Sequence, residues 1–207
     1  MANIISFDYY QRSQKIRRPS ARASSKQVSN TSERQGSLDS LCGIYSIVNA
    51  VCHVAKLSSE QRQLLFKKLI KTLEKDKCVA RCMLHGISKR QLLRLFTAAE
   101  QWLKNKHNIT LLITPIAEVA ERLSMKQYVQ YLDNFLYDEE GILIAGIKGI
   151  HHHWTCIESV TPKTLQLMDS SGLNSLRVAS CRISKKPIRR YHCLNPMQTW
   201  GIRCFPT

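Results

Sequence analysis

A chain of 207 residues is long enough to bury about two-thirds of its unfolded surface, so we expect one compact domain with room for a tail. Hydrophobic residues make up 43% of the sequence and no apolar run approaches the roughly 20 residues that cross a bilayer, which excludes a chain disordered throughout and predicts one that does not span a membrane. The net charge of +16 favours acidic proteins, nucleic acid or anionic surfaces as nonspecific partners.

Residues 1–34 are predicted to form a mobile basic tail, and residues 35–207 the folded domain. From Gln11 onward the tail consists mainly of Ser, Arg, Lys and Gln, which offer little apolar surface to offset the entropy lost on ordering. The N-terminus lacks the apolar run and cleavage site of a secretory signal, so we expect a cytoplasmic protein with mostly reduced cysteines. The charge of the tail is expected to attract an acidic partner without taking part in chemistry.

Four helices are predicted after Gln35. The first is the apolar run LCGIYSIVNAVCHVA, in which Ser46, Asn49 and His53 form a polar stripe at helical spacing. Each of the other three begins with a Ser followed three residues later by a Gln, a pair that can cap the first turn reciprocally. These pairs are Ser58 and Gln61, Ser88 and Gln91, and Ser124 and Gln127.

The last third of the chain has the pattern of a β-sheet. Runs of aliphatic, β-branched and aromatic residues are separated by Gly, Pro and Ser, and the runs are ILIAGI, HHWTCIESV, TLQLMD, YHCL and GIRCF. We expect the sheet to be antiparallel. Helices followed by strands predict an α+β domain, in which a helical half packs against a β half with a crevice between them.

Cys42 is the first candidate for a catalytic residue. It lies at the predicted start of the apolar helix, where unpaired backbone N–H groups and the positive end of the helix dipole stabilise a thiolate. Gly43 beside it is expected to let a substrate backbone come close. Taken alone, Cys42 fits a buried structural role like that of Cys52 better than a catalytic one.

A nucleophilic cysteine needs a base, and the histidine run 151–153 offers one. This run begins a predicted strand that turns at TPK and returns as TLQLMD, so antiparallel partners have residue numbers that sum to about 324. Asp169 then lies opposite Thr155 and diagonal to His153 on the same face, whereas His152 points to the other face. The alternatives are a metal-binding or solvated loop for the histidines and a simple turn residue for Asp169.

The order Gln35, Cys42, His153 and Asp169 resembles the papain-like cysteine peptidases, especially compact intracellular or bacterial members such as double-glycine leader peptidases and cysteine-protease effectors. The resemblance implies that Cys42 is the nucleophile, His153 the general base and Asp169 the residue that orients it. It implies an oxyanion-hole donor at Gln35, which stands one residue farther from the cysteine than is usual in the family. It also implies a papain-like fold, with a helical lobe led by the cysteine helix packed on an antiparallel β lobe.

The predicted function is therefore a cysteine-dependent hydrolase of peptide, isopeptide or other amide bonds, with a protein or peptide substrate and no cofactor or metal ion. A thiol acyltransferase or a deamidase would use the same residues, and an inactive papain-like module would only bind through its basic surface. Two separate alternatives remain. One is nucleic-acid binding through the basic tail and residues 182–192. The other is a zinc site at Cys78, Cys82 and His85, which have helical spacing but no evident fourth ligand.

Overall fold

The computed structural model describes residues 33–36, 39–116, 124–137 and 140–206, all of which lie in one compact unit, residues 31–207. The predicted tail lies outside the described residues except for its last two, Glu33 and Arg34. The described α-helices are α1 Cys42–Ala55, α2 Ser59–Lys75, α3 Val79–His85, α4 Lys89–His107 and α5 Met125–Leu136. The described strands are β1 Ile109–Pro115, β2 Ile142–Gly149, β3 His153–Val160, β4 Thr164–Met168, β5 Ser175–Arg177, β6 Cys181–Ile183 and β7 His192–Pro206.

The helices begin where the local sequence predicts. In α2, α4 and α5 the N-cap Ser accepts the backbone N–H of the Gln three residues later, and the Gln side chain accepts the backbone N–H of the Ser. The apolar helix α1 begins at Cys42 without a side-chain cap of its own. The sequence analysis does not anticipate the short helix α3.

The strands form one sheet in the order β1-β7-β2-β3-β4-β5, with every neighbouring pair antiparallel. The exception to this pattern is β6, which pairs with β7 in parallel. The predicted α+β class and the largely antiparallel sheet are confirmed. Among the described helices, none is both long and apolar enough to cross a lipid bilayer.

Two strands differ from their prediction. The segment 109–115 lies in the part of the chain assigned to helices, yet it forms the edge strand β1. The runs YHCL and GIRCF are not two strands but the two ends of β7, which is 15 residues long. The register between β2 and β7 shifts between Ala145 and Ile147, opposite the part of β7 that contains Pro196. Proline cannot donate to a ladder, so the two runs join through this irregularity.

Both faces of the sheet are covered. Side chains of α1, α2 and α4 share one core with Ile142, Ile144, Trp154 and Cys156 of the sheet. The alternate positions, including Leu143, Ala145 and Ile157, share a second core with α5. Because successive side chains of a strand point to opposite faces, two separate cores result. The expected helical half therefore contains α1 to α4, while α5 packs on the opposite side of the sheet.

Candidate active site

Cys42 lies where α1 meets the start of β3. It is the first residue of α1 and only 6% exposed. The backbone N–H of Trp154 donates a hydrogen bond to its Sγ at 3.5 Å. The packing of α1 against β3 thus brings the thiol to the beginning of the strand whose first residue is His153.

The predicted register of β3 and β4 is confirmed beside the candidate site. Cys156 pairs with Met168 and Ile157 pairs with Leu167, before an irregularity between Ile157 and Ser159 shifts the register by one residue. Asp169 follows β4 directly. Its Oδ2 is 2.6 Å from Nε2 of His153, so the contact that the register predicts is present.

The Asp169 carboxylate is completely buried and well supplied with donors. Its Oδ1 accepts the backbone N–H groups of Ser171 at 2.8 Å and Leu173 at 3.2 Å. Burial alone would raise the pKa of Asp169, but the hydrogen bonds and the charge of His153 outweigh it, so the pKa is lowered. The hydroxyl of buried Thr155 acts in the same direction, although it forms no hydrogen bond of good geometry.

His153 connects the carboxylate to the thiol. Burial would lower the pKa of its imidazole, but hydrogen bonding to Asp169 and to Cys42, together with their negative charges, raises the pKa to about 9. Because Nε2 is bonded to Asp169, Nδ1 is the nitrogen left for the sulfur. His153 is thus bonded to Asp169 and lies beside Cys42, whose Sγ accepts the backbone N–H of the adjacent Trp154.

Several other cysteines lie in surroundings that suppress ionisation. Burial raises the pKa of Cys52 to about 12, and those of Cys82 and Cys181 to about 11. Burial also raises the pKa of Cys156 and of Cys204. These five cysteines therefore fit the role of small hydrophobic residues, since a buried thiol in apolar surroundings is unreactive.

Trp154 fixes the position of the strand relative to α1, a role that the sequence analysis missed. Its Nε1–H donates to the backbone carbonyl of Ile87 at 2.6 Å. Gly43 packs against the same residue, because a Cβ on Gly43 would lie 3.0 Å from the Cβ of Ile87. The Ile87 side chain occupies the space into which a side chain at position 43 would extend. That Gly43 lets a substrate backbone come close stays a prediction.

Gln35 is hydrogen-bonded both to the residue after Asp169 and to the segment that leads to Cys42. Its backbone N–H donates to the carbonyl of Ser170, the residue after Asp169, at 3.0 Å. Its side-chain Nε2 donates to the carbonyl of Asp39 at 2.7 Å, three residues before Cys42. One of the two Nε2 hydrogens is engaged by Asp39, so an amide donor remains for a ligand.

An open cleft of about 360 Å³ lies on the outer side of His153. It is lined by His151, His152, His153, Asp169, Ser171, Gly172 and Leu173. His151 and His152 are exposed, whereas His153 is not. Of the three histidines, His153 is the one bonded to Asp169, and the two exposed histidines form the rim of the cleft.

Metal binding finds no support in the described part of the chain. Among those residues, no group of three or more His, Cys, Asp or Glu side chains is arranged to hold a metal ion, and this includes Cys78, Cys82 and His85. Instead, the Cys82 Sγ accepts a hydrogen bond from Gln91 Nε2 at 3.0 Å.

Sequence comparison with known proteins identifies no relative of this chain. No family model matches the chain, and no curated protein sequence is significantly similar to it. The chemistry of the site is therefore inferred from the geometry of the chain itself.

Proposed function

We propose that this protein is a cysteine-dependent hydrolase of peptide, isopeptide or other amide bonds, with a papain-like arrangement of its fold. Cys42 is the nucleophile, His153 the general base and Asp169 the residue that orients the imidazole. The observation that carries the proposal is a pair of hydrogen bonds made by adjacent residues at the start of β3. His153 Nε2 is 2.6 Å from Asp169 Oδ2, and the Trp154 N–H donates to the Cys42 Sγ.

The proposed reaction begins with attack of the Cys42 sulfur on a carbonyl carbon. The proton of the thiol already resides on Nδ1 of His153, so the sulfur attacks as a thiolate and the carbonyl oxygen becomes an oxyanion. Donors for this oxyanion are the backbone N–H of Cys42, at the first turn of α1, and the Nε2 of Gln35. The amine then leaves with the proton of the imidazolium, and water releases the acyl group from the sulfur.

The electrostatics suit this sequence of proton transfers. With a pKa of about 9, the His153 imidazole holds a proton at neutral pH and is ready to protonate the leaving amine. The ionised Asp169 stabilises this cation and fixes Nδ1 toward the sulfur. Two backbone N–H groups hold the carboxylate itself, so the orientation of the imidazole is set by buried, immobile partners.

The first test measures the reactivity of the thiols. Iodoacetamide at near-neutral pH, followed by mapping of the labelled cysteine, is expected to modify Cys42 faster than any other cysteine. Cys52, on the same helix with a pKa raised to about 12, is the matched control, and Cys52→Ser should leave the labelling pattern unchanged. Preferential labelling of Cys78 or Cys82 would contradict the proposal.

The second test separates catalysis from binding. Cys42→Ser should lower hydrolysis of a peptide substrate by several orders of magnitude while the fold is retained, and His153→Ala should approach the same loss. Asp169→Asn keeps a hydrogen-bonding group and should be less severe. Because the residues act as a unit, the Cys42→Ser, His153→Ala double variant should be hardly worse than either single one. An unaltered activity of Cys42→Ser would end the enzyme hypothesis.

A further inference from the structure

The loop between β6 and β7, residues 184–191, is the most basic exposed segment of the described chain that adjoins the cleft. Lys186, Arg189 and Arg190 are all exposed, and Arg182 at the base of the loop is exposed as well. No ion pair of the described residues involves these four side chains. Residues 170–207 contain no Asp or Glu at all, so no nearby sequence neighbour neutralises the loop.

The loop touches the turn that leads to His153. The backbone N–H of Ile150, in the turn between β2 and β3, donates to the carbonyl of Tyr191 at 3.2 Å. Gly149 has a φ of +93°, and a Cβ there would collide with the carbonyl oxygens of Tyr191 and Ile188. The close approach therefore depends on glycine, and it places the loop beside the histidine rim.

Two stacked histidine rings link the end of the loop to the cleft. The rings of His151 and His192 are stacked, with centroids 5.4 Å apart and planes 17° from parallel. His151 lines the cleft beside His153, whereas His192 begins β7 directly after the basic loop. The stacked rings of His151 and His192 thus connect the basic loop to the cleft.

The conformation of the loop is held by its own hydrogen bonds. The Ser184 hydroxyl donates to the carbonyl of Lys186 at 2.7 Å and accepts its N–H, and the N–H of Ile188 donates to the buried Cys193 Sγ at 3.2 Å. The N–H of Tyr191 donates to the carbonyl of Ile188 at 3.0 Å. A loop held in this way presents its charges in one arrangement, which reduces the entropy lost when a ligand binds.

Two guanidinium groups are oriented by one aromatic ring. The Arg182 Cζ lies 4.0 Å from the centroid of the Tyr191 ring, and the Arg190 Cζ lies 5.1 Å from it. Stacking on a ring orients the plane of a guanidinium while its N–H edges remain able to bind a carboxylate. Arg182 donates from Nη1 to the carbonyls of Ala179 and Cys181, and no hydrogen bond joins its other nitrogens to a described residue.

From this juxtaposition we propose that the loop 184–191 is a substrate subsite that selects acidic peptide segments, with one or more Asp or Glu residues on the His151 side of the bond that is cleaved. The proposal rests on the function proposed above. Because the loop reaches the cleft through the stacked rings of His151 and His192, the acidic residues lie beyond His151 and not at the bond that is cleaved. Attraction between this loop and a carboxylate also accelerates the encounter at low salt.

The experiment compares two kinds of electrophile that react with Cys42 in the full chain. The first is iodoacetamide, which is small and uncharged, and the second is a pair of hexapeptide chloromethyl ketones that carry either Glu or Gln at the same positions. The rate of Cys42 labelling is measured in the wild type, in the loop variant Arg189→Glu, Arg190→Glu, and in the control variant Lys67→Glu, Lys71→Glu. The control reverses two exposed charges on α2 and therefore has the same net charge as the loop variant.

The expected result is a rate for the Glu peptide roughly tenfold above that for the Gln peptide in the wild type and in the control, and a loss of this preference in the loop variant. Iodoacetamide should label Cys42 equally in all three. Equal loss in the control and loop variants, or no preference in the wild type, would overturn the subsite while leaving the enzyme proposal in place. Absence of preferential Cys42 labelling by iodoacetamide would instead contradict the enzyme proposal.

A last measurement addresses nucleic acid as the occupant of the same charges. Fluorescence anisotropy of the Cys42→Ser protein should show binding of the Glu hexapeptide that weakens with salt and with Arg189→Glu, Arg190→Glu. Binding of a single-stranded oligonucleotide through this loop, with no binding of the Glu peptide, would overturn the proposal.

Discussion

At the scale of single residues, His153 and Asp169 stabilise each other's charged forms. The pKa of His153 is raised to about 9 and that of Asp169 is lowered, in each case against the effect of burial. The short hydrogen bond between Nε2 and Oδ2 contributes to both shifts. Because a shifted pKa is also a contribution to folding stability, the pair predicts how stability varies with pH.

The first prediction concerns this variation. Unfolded histidine titrates near pH 6.5, so the contribution of His153 is fully present below that pH and is lost as the pH rises through about 9. The contribution of Asp169 is present above its unfolded pKa of 3.8 and is lost as the pH falls through its lower folded value. The free energy of unfolding should therefore fall by roughly 1–3 kcal/mol between pH 6.5 and pH 9 because of this pair.

Urea unfolding at a series of pH values measures this change. The variant His153→Gln keeps a polar side chain but removes the titrating group, so the difference between wild type and variant isolates the pair from the other titrating residues. We expect the difference to shrink as the pH rises through about 9. A difference that stays constant from pH 6 to pH 10 would show that the pair does not titrate as described.

At the scale of elements, the beginning of α4 supports the loop on which Trp154 rests. Ser88 and Gln91 cap α4 reciprocally, and the Gln91 side chain also donates to Cys82 Sγ on α3. Ile87, whose carbonyl accepts the Trp154 Nε1–H, directly precedes the cap. The cap therefore stabilises the helix and the segment that positions the start of β3.

The second prediction follows from this arrangement. Ser88→Ala removes the side-chain acceptor for the Gln91 N–H and should lower the free energy of unfolding by about 1 kcal/mol. Ser124→Ala removes the equivalent acceptor in α5, on the opposite face of the sheet, and is the matched control with a similar cost. We expect peptide hydrolysis to fall in Ser88→Ala and to be unchanged in Ser124→Ala. Equal activities at a temperature where both are folded would remove the link between the cap and the site.

At the scale of the whole molecule, the Asn49 side chain of α1 holds the segment that carries Gln35. Asn49 accepts the backbone N–H of Glu33 at 2.8 Å and donates to its carbonyl at 3.2 Å. Asn49 is 2% exposed and belongs to the polar stripe of α1 noted in the sequence. On its other side the segment is bonded to Ser170, so it connects α1 to the residue after Asp169.

The third prediction uses this connection to test Gln35. Asn49→Ala should displace the segment, lowering kcat/KM for a peptide substrate and costing about 1–3 kcal/mol of stability. Gln35→Ala should lower kcat roughly 100-fold, as the loss of an oxyanion donor does, with little change in stability. If Asn49→Ala lowers activity by displacing the side-chain amide of Gln35, the double variant should be scarcely slower than Gln35→Ala. Multiplicative losses would indicate that Asn49 affects activity by another route.

Local sequence determined the helix starts and the contact between His153 and Asp169. A capping box involves only four residues, so Ser58, Ser88 and Ser124 identify their helices without reference to the rest of the chain. The strands β3 and β4 are joined by a tight turn, and a side-chain period of two then places Asp169 on the face of His153. Both inferences rest on interactions between residues close together in the chain.

Only the tertiary structure decided which distant elements meet. The segment 109–115 is a strand because β7 is available to pair with it, and Pro196 is accommodated within β7 by the register shift against β2. Likewise, the meeting of Cys42 with Trp154, the anchoring of Gln35 by Asn49 and Ser170, and the docking of the basic loop on Gly149 join residues far apart in sequence. Such contacts depend on how whole surfaces pack, and no local pattern of residue types specifies them.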